Sequence, residues 1–192
     1  QDMHFSQFTM TPLQLDPSQA GKFSGDTRAI INYRDQWSSV TSNSFRTYGV
    51  SFDMPFSKGK KDNFFGGGIS AYRDKAGQIS LGTTLLNISL AYHIKLNESS
   101  YLSAGAQAGF LQKSLNESNI RSNNQFDGAG HNDNLSSGET FNNTSFFEPD
   151  FSVGVSYTYG DNTTNQVINS GGFGGKKVNI GAAIHHVASP SY

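Results

Sequence analysis

Residues 86–96 alternate between apolar and small or polar side chains at every position, and this alternation constrains the fold more than any other feature. Apolar residues occupy the even positions from Leu86 to Leu96, and small or polar ones occupy the odd positions from Asn87 to Lys95. Side chains of a strand point alternately to opposite faces, so the segment predicts a strand with one apolar face. A strand of about 11 residues, roughly 36 Å long and tilted by about 45°, spans the apolar band of an outer-membrane barrel, which is about 25 Å tall.

The same alternation recurs along the chain and predicts further strands. We expect strands over residues 27–37, 45–55, 64–73, 80–96, 101–112, 150–159 and 177–187. The run Gly66-Gly67-Gly68 predicts a bend or a close approach of another piece of backbone. Alternation does not say which face meets lipid. We expect Ile88 to face lipid and Ser89 to face a hydrated lumen, where a lysine would cost little.

Composition agrees with a membrane barrel and excludes several other classes. Charged residues make up 15 % of the chain, against about 25 % in ordinary soluble domains, and the polar faces of the strands are small and mostly neutral. The sequence contains no run of about 18 apolar residues, so no transmembrane helix is expected. The net charge of −1 gives a nucleic-acid partner no electrostatic support, and the absence of cysteine excludes disulfides and thiolate sites.

Residues 1–25 lack long alternation and carry Pro12, Pro17 and Gly21, so we expect an extended or partly helical lead segment before the barrel strands of residues 26–192. A polar stretch over residues 113–148 predicts one long loop. Gln1 is interpreted as a mature terminus left by signal-peptide cleavage. Because bacterial barrels normally have an even number of strands, the seven predicted strands indicate the N-terminal part of a larger antiparallel barrel.

Two groups of residues are candidates for a functional role. The lead segment is expected to plug the lumen or to dock a periplasmic partner, and both roles remain open. The residues expected to serve either role are His4, Phe5, Gln7 and Phe8. A second group lies on or beside predicted strands and is expected to form a charged cluster in the lumen. Structural ion pairing is favoured there over a transport role, and the members are Arg28, Arg34, Arg46, Asp53 and Arg73.

The chain shows no arrangement typical of catalysis or metal binding. There is no Gly-x-Ser-x-Gly elbow. His185 and His186 are adjacent on a predicted strand, so their side chains should point to opposite faces and cannot share a metal ion. The sequence therefore predicts a protein that is not an enzyme and has no cofactor. A passive solute channel and a soluble ligand-binding β-barrel remain alternatives.

Four stretches in the first third of the chain, in this order, resemble the type IX secretion system membrane proteins of the PorP/SprF family. They are residues 1–8 (QDMHFSQF), 12–21 (PLQLDPSQAG), 32–37 (NYRDQW) and 51–55 (SFDMP). The first and third are the most distinctive. Members of the family are longer than this chain, which agrees with strands beyond Tyr192.

The resemblance implies a multi-pass barrel in the outer membrane of a Gram-negative bacterium that serves export of large proteins to the cell surface. Its implied partners are other type IX secretion components, with either a periplasmic peptidoglycan-linked lipoprotein or a large secreted surface adhesin, the latter in gliding motility or attachment. Outer-membrane lipid would surround it, and no nucleic acid is implied.

Overall fold

The structure is a computed structural model, and it describes residues 5, 7–40, 44–56, 63–76, 81–114, 123–125, 145–160 and 177–187. These residues form one seven-stranded sheet in which neighbours in sequence are neighbours in space and every pair is antiparallel. The sheet curls into a half-barrel, which confirms the predicted all-β antiparallel barrel fold. The strands are β1 (Arg28–Gln36), β2 (Phe45–Phe56), β3 (Phe64–Ala76), β4 (Leu81–Asn97), β5 (Ser100–Ser114), β6 (Ser145–Gly160) and β7 (Lys177–Ile184).

Each predicted strand is present, with differences at the ends. β5 continues to Ser114 and β6 begins at Ser145, so both ends of the predicted loop 113–148 belong to strands. Pro149, which precedes the predicted strand 150–159, pairs with Phe110 inside the sheet. In the part of the chain that the structure describes, no helix has the length and apolar character needed to cross a bilayer.

The two faces of the sheet differ sharply in chemistry and burial. We call the face that carries Ile88 the outer face and the face that carries Ser89 the inner face. On the outer face large apolar side chains are bare, and Ile88 in mid-β4 is 63 % exposed. On the inner face small and polar side chains are buried, and Ser89 is 0 % exposed. The expectation of a hydrated Ser89 is therefore wrong: Ser89 lies beneath other groups and accepts a hydrogen bond of 2.8 Å from Gln107 Nε2.

What buries the inner face is the lead segment. It consists of two 3₁₀ turns, Phe8–Met10 and Pro17–Gln19, which flank the short helix α1 (Pro12–Leu15). Outside the lead segment, between β5 and β6, one further 3₁₀ turn is described at Asn123–Gln125. The prediction of a partly helical lead segment is confirmed. Its buried apolar side chains form two small clusters with the strands: Phe5 with Tyr72 and Leu85, and Leu13 and Ala20 with Ala91.

Candidate functional site

The candidate site is the groove on the inner face in which the lead segment lies. Its path is set by local chemistry. Pro12 and Pro17 stand at the first positions of their turns, where the missing N–H costs nothing. Asp16 caps the second 3₁₀ turn, because its Oδ1 and Oδ2 accept from the Ser18 N–H and hydroxyl, each at 2.8 Å. Gly21 then reverses the chain with a φ of 73°, a conformation that favours glycine.

A row of small residues crosses the sheet and forms the floor of this groove, which we call the small-residue row. The register places its members side by side on β3, β4, β5, β6 and β7: Gly66, Ala91, Gly105, Gly154 and Ala183. The backbone of the lead segment lies directly on it. A Cβ at Gly105 would come within 2.5 Å of Ser18 N, and one at Gly66 would overlap the Ala20 carbonyl oxygen. The close approach predicted for the triple glycine is confirmed at Gly66.

The strands hold the lead segment mainly through its backbone. Its carbonyl oxygens accept hydrogen bonds along its length from strand side chains and from His185, which follows β7. These bonds run from Asn32 to Met10 O at 3.2 Å, Gln107 to Leu13 O at 3.2 Å, His185 to Leu15 O at 3.2 Å, Arg28 to Gln19 O at 3.3 Å and His93 to Ala20 O at 2.8 Å.

Arg28 and Asp53 clamp the end of the lead segment. The Arg28 guanidinium donates in bidentate fashion to the Asp53 carboxylate, with Nε–Oδ1 at 2.9 Å and Nη2–Oδ2 at 2.7 Å. The same Oδ2 accepts from the Gly21 N–H at 2.8 Å. The Asp53 side chain is 1 % exposed and that of Arg28 is 22 % exposed. Burial of the carboxylate is offset by three charge-assisted hydrogen bonds.

A second polar network joins the segment to β4, β5 and β6. The Ala20 carbonyl can only accept, so His93 carries a proton on Nε2, and in the neutral ring Nδ1 accepts from the Ser103 hydroxyl at 2.9 Å. Lys22 Nζ donates to the Ser103 oxygen at 3.0 Å and to Ser156 at 3.4 Å. Ser18 Oγ lies 2.8 Å from Ser156 Oγ.

Comparison with known proteins identifies the family. The sequence model described as "Type IX secretion system membrane protein PorP/SprF" matches residues 1–192. The chain belongs to the PorP/SprF family. It is therefore a membrane component of type IX secretion, from a family of structural components that associate with other parts of the secretion system. Neither the search of curated proteins nor the search of solved structures gave a match.

The four residues predicted as a plug or docking element of this PorP/SprF protein have different environments. His4 lies outside the described residues. Phe5 is 7 % exposed, and its ring centroid is 6.2 Å from that of Tyr72. Gln7 and Phe8 are exposed, with Phe8 at 59 %. Within this group, only Phe5 is seen to anchor the segment to the sheet.

The five residues predicted as one charged lumen cluster are not brought together. Arg28 and Asp53 form the clamp on the inner face, and Arg34 follows Arg28 on that face of β1. Arg46 and Arg73 lie instead on the outer face, because they share it with Tyr48: Arg73 is its register partner and Arg46 is two residues away. Arg46 forms an ion pair of 3.4 Å with Asp35. The alternation therefore places Arg46 and Arg73 on the other side of the sheet from the clamp.

The two adjacent histidines also depart from expectation. β7 ends at Ile184, and His186 has a φ of 55°, which breaks the alternation of the strand. Both rings therefore meet inner-face residues of β6: His185 Nδ1 lies 3.1 Å from Ser152 Oγ and His186 Nδ1 lies 2.7 Å from Asp150 Oδ1. The prediction of opposite faces is wrong. No group of three or more His, Asp or Glu residues able to hold a metal is found among the described residues.

Several residues of the groove escaped the sequence analysis. His93, Ser103 and Ser156 appeared only as the polar side of alternating strands. A signal was present in Gly105 and Gly154, because glycine in mid-strand often marks a close backbone approach. Asp16-Pro17-Ser18 also has the form of a capped turn. That these strand residues all contact the lead segment becomes visible only when the strands are placed in register.

Proposed function

We propose that this PorP/SprF protein is a non-enzymatic outer-membrane barrel that supports export or surface attachment of a large secreted protein. The observation that carries the proposal is the contrast between the two faces in a chain of this family. A bare apolar outer face suits hydrocarbon, which a β-sheet can span when its backbone groups are bonded within the protein. A polar inner face suits an aqueous lumen.

Residues 1–25 act as the plug of that lumen rather than as a periplasmic docking arm. Burial of Phe5, Leu13 and Ala20 supports the plug, because these side chains would leave the sheet if the segment reached into the periplasm. The clamp of Arg28 and Asp53 on Gly21 supports it further. Strands β1 to β7 form the wall.

Gene deletion followed by surface proteomics tests the proposal. We expect one or a few large proteins to disappear from the surface, and reintroduction of the wild-type gene to restore them. The protein itself should fractionate with outer membranes and show a heat-dependent gel shift. An unchanged surface proteome would contradict the role in secretion, and recovery of the protein without detergent would contradict the membrane barrel.

Liposome swelling separates this function from that of a passive channel. If the lead segment fills the lumen, proteoliposomes containing the protein should swell no faster in small sugars than empty liposomes do. Rapid swelling would instead favour an open solute channel. An open porin of similar size provides the positive control.

A further inference from the structure

We propose that the groove under the lead segment is a peptide-binding site, that residues 8–24 are its resident ligand, and that a segment of the exported protein binds there when the lead segment leaves. This inference rests on the proposed function for the identity of the second ligand. The binding site itself is argued from the contacts alone.

The first argument is that the groove recognises backbone. The carbonyls of Met10, Leu13, Leu15, Gln19 and Ala20 accept from strand side chains, and the Gly21 N–H donates to Asp53. Every peptide segment carries such groups, whatever its side chains. A site that reads them can therefore hold more than one sequence, as sites that bind extended peptides through main-chain hydrogen bonds do.

The second argument is that the groove reads side chains only on the face of the segment that meets its floor, where Ser18 contacts Ser156 and Lys22 contacts Ser103. Leu13 and Ala20 are both 0 % exposed, and Gly21 faces the Cα of Gly66 with no room for a Cβ. Phe8 and Leu15 point away from the floor, at 59 % and 48 % exposed. The ligand is thus a short segment with an apolar residue, a capped turn, an Ala-Gly-like pair and polar side chains that reach Ser156 and Ser103, with free choice at the outward positions.

The third argument is the way the ligand is attached. Residues 24–27 join the lead segment to β1 and are exposed. A ligand tethered through an exposed connection can dissociate while its tether stays in place. The tether raises the local concentration of the resident segment, so a competing segment needs either higher affinity or many copies in succession.

Peptide exchange tests the site without any secretion assay. A specific protease sequence replaces Gly25 in the complete protein in lipid nanodiscs, and cleavage leaves the lead segment held by the groove alone. A fluorescent peptide of residues 8–24 should then bind saturably and be displaced by the unlabelled peptide. Permanent retention of the cleaved segment, or its loss with no rebinding, would overturn the proposal.

Two matched peptides test what the groove reads. A peptide with Gly21→Leu should bind at least tenfold more weakly, because its side chain meets the backbone at Gly66. A peptide with Leu15→Ser should bind within about threefold of the original, because Leu15 is outward. Equal weakening by both substitutions would show that the groove reads side chains and would refute backbone recognition.

A disulfide lock tests the exported ligand. The chain has no cysteine, and the Oγ atoms of Ser18 and Ser156 are 2.8 Å apart, so Ser18→Cys with Ser156→Cys adds a single disulfide. Oxidation should reduce surface delivery, and a reductant should restore it, while the same oxidant should leave delivery by the cysteine-free wild type unchanged. Normal delivery through the locked protein, with peptide exchange intact, would refute the exported ligand but leave the secretion role standing. If the secretion role itself is wrong, the deletion strain will instead show an unchanged surface proteome.

Discussion

Replacing Ile88 with lysine tests whether the outer face lies in hydrocarbon. Ile88 is 63 % exposed near the middle of β4, among apolar neighbours on the same face. A lysine there places a charge near the bilayer midplane, which costs about 2–4 kcal/mol in outer-membrane barrels. The inner face cannot serve as the control, because Ser89 is fully buried and a lysine there would also displace the lead segment.

The control is Leu96→Lys, an exposed apolar position of the same strand, at the register shift between Lys95 and Asn97. Leu96 is 56 % exposed and lies next to the last residue of β4, Asn97. It is about eight residues from Ile88, roughly 26 Å along the strand at about 3.3 Å per residue. At a tilt of about 45° this is a rise of roughly 19 Å, which exceeds half of an apolar band about 25 Å tall, so the cost should fall to about 0–1 kcal/mol.

The two variants are compared by reversible denaturant titration in lipid vesicles, with fluorescence of Trp37, the one tryptophan in the sequence, as the probe. A difference of about 2 kcal/mol corresponds to a roughly thirtyfold change in the unfolding equilibrium constant, since each 1.4 kcal/mol is about tenfold. Ile88→Val, which keeps the position apolar, should change little. If Leu96→Lys is as costly as Ile88→Lys, or if neither costs more than about 0.5 kcal/mol, the outer face does not lie in hydrocarbon at the assumed depth.

Three further substitutions test the groove. Asp53→Ala should destabilise the fold by about 3 kcal/mol, measured in the same titration, because it leaves the Arg28 charge without its buried partner; a loss below about 1 kcal/mol would show that water replaces the carboxylate. Gly105→Leu should expel the lead segment and make the bond after Lys22, whose side chain is held by Ser103, accessible to trypsin, whereas Ala104→Leu on the outer face of the same strand should not; equal cleavage would contradict the close contact at Gly105. Phe5→Ala should cost about 3 kcal/mol, since a buried aromatic ring is removed, and an unchanged midpoint would mean that Phe5 does not anchor the segment.

The strands were predictable because the signal that specifies them is local. Alternation over residues 86–96 alone fixes the strand, its two faces and their chemistry. Strand ends were less predictable, because they depend on individual residues. Pro149 lies outside the predicted strand 150–159 but inside β6, and His186 ends the alternation by adopting a positive φ. Neither effect follows from a periodic pattern.

The groove was not predictable, because it is assembled from distant parts of the chain. The Ser18–Ser156 contact spans 138 residues, and the His93–Ala20 contact spans 73. Which polar residue of a strand meets which peptide group depends on the register of every intervening pair. The charged residues show the same limit: Arg28 and Asp53 meet because β1 and β2 place them opposite each other, while the same alternation sends Arg46 to the outer face.

The chemistry of the inner face bears directly on whether the lead segment can leave. Glycine weakens a strand interior, so Gly105 and Gly154 lower the stability of the wall where they make room for the segment. In a dry core, release of the lead segment would leave polar groups such as Asp53 without hydrogen-bond partners, at a prohibitive cost in free energy. In an aqueous lumen, water can replace the lost hydrogen bonds. The main cost of release is then the exposure of Leu13 and Phe5, at about 1.5–3 kcal/mol for each side chain. A cost of this size keeps the groove occupied at rest and lets a competing segment displace the resident one.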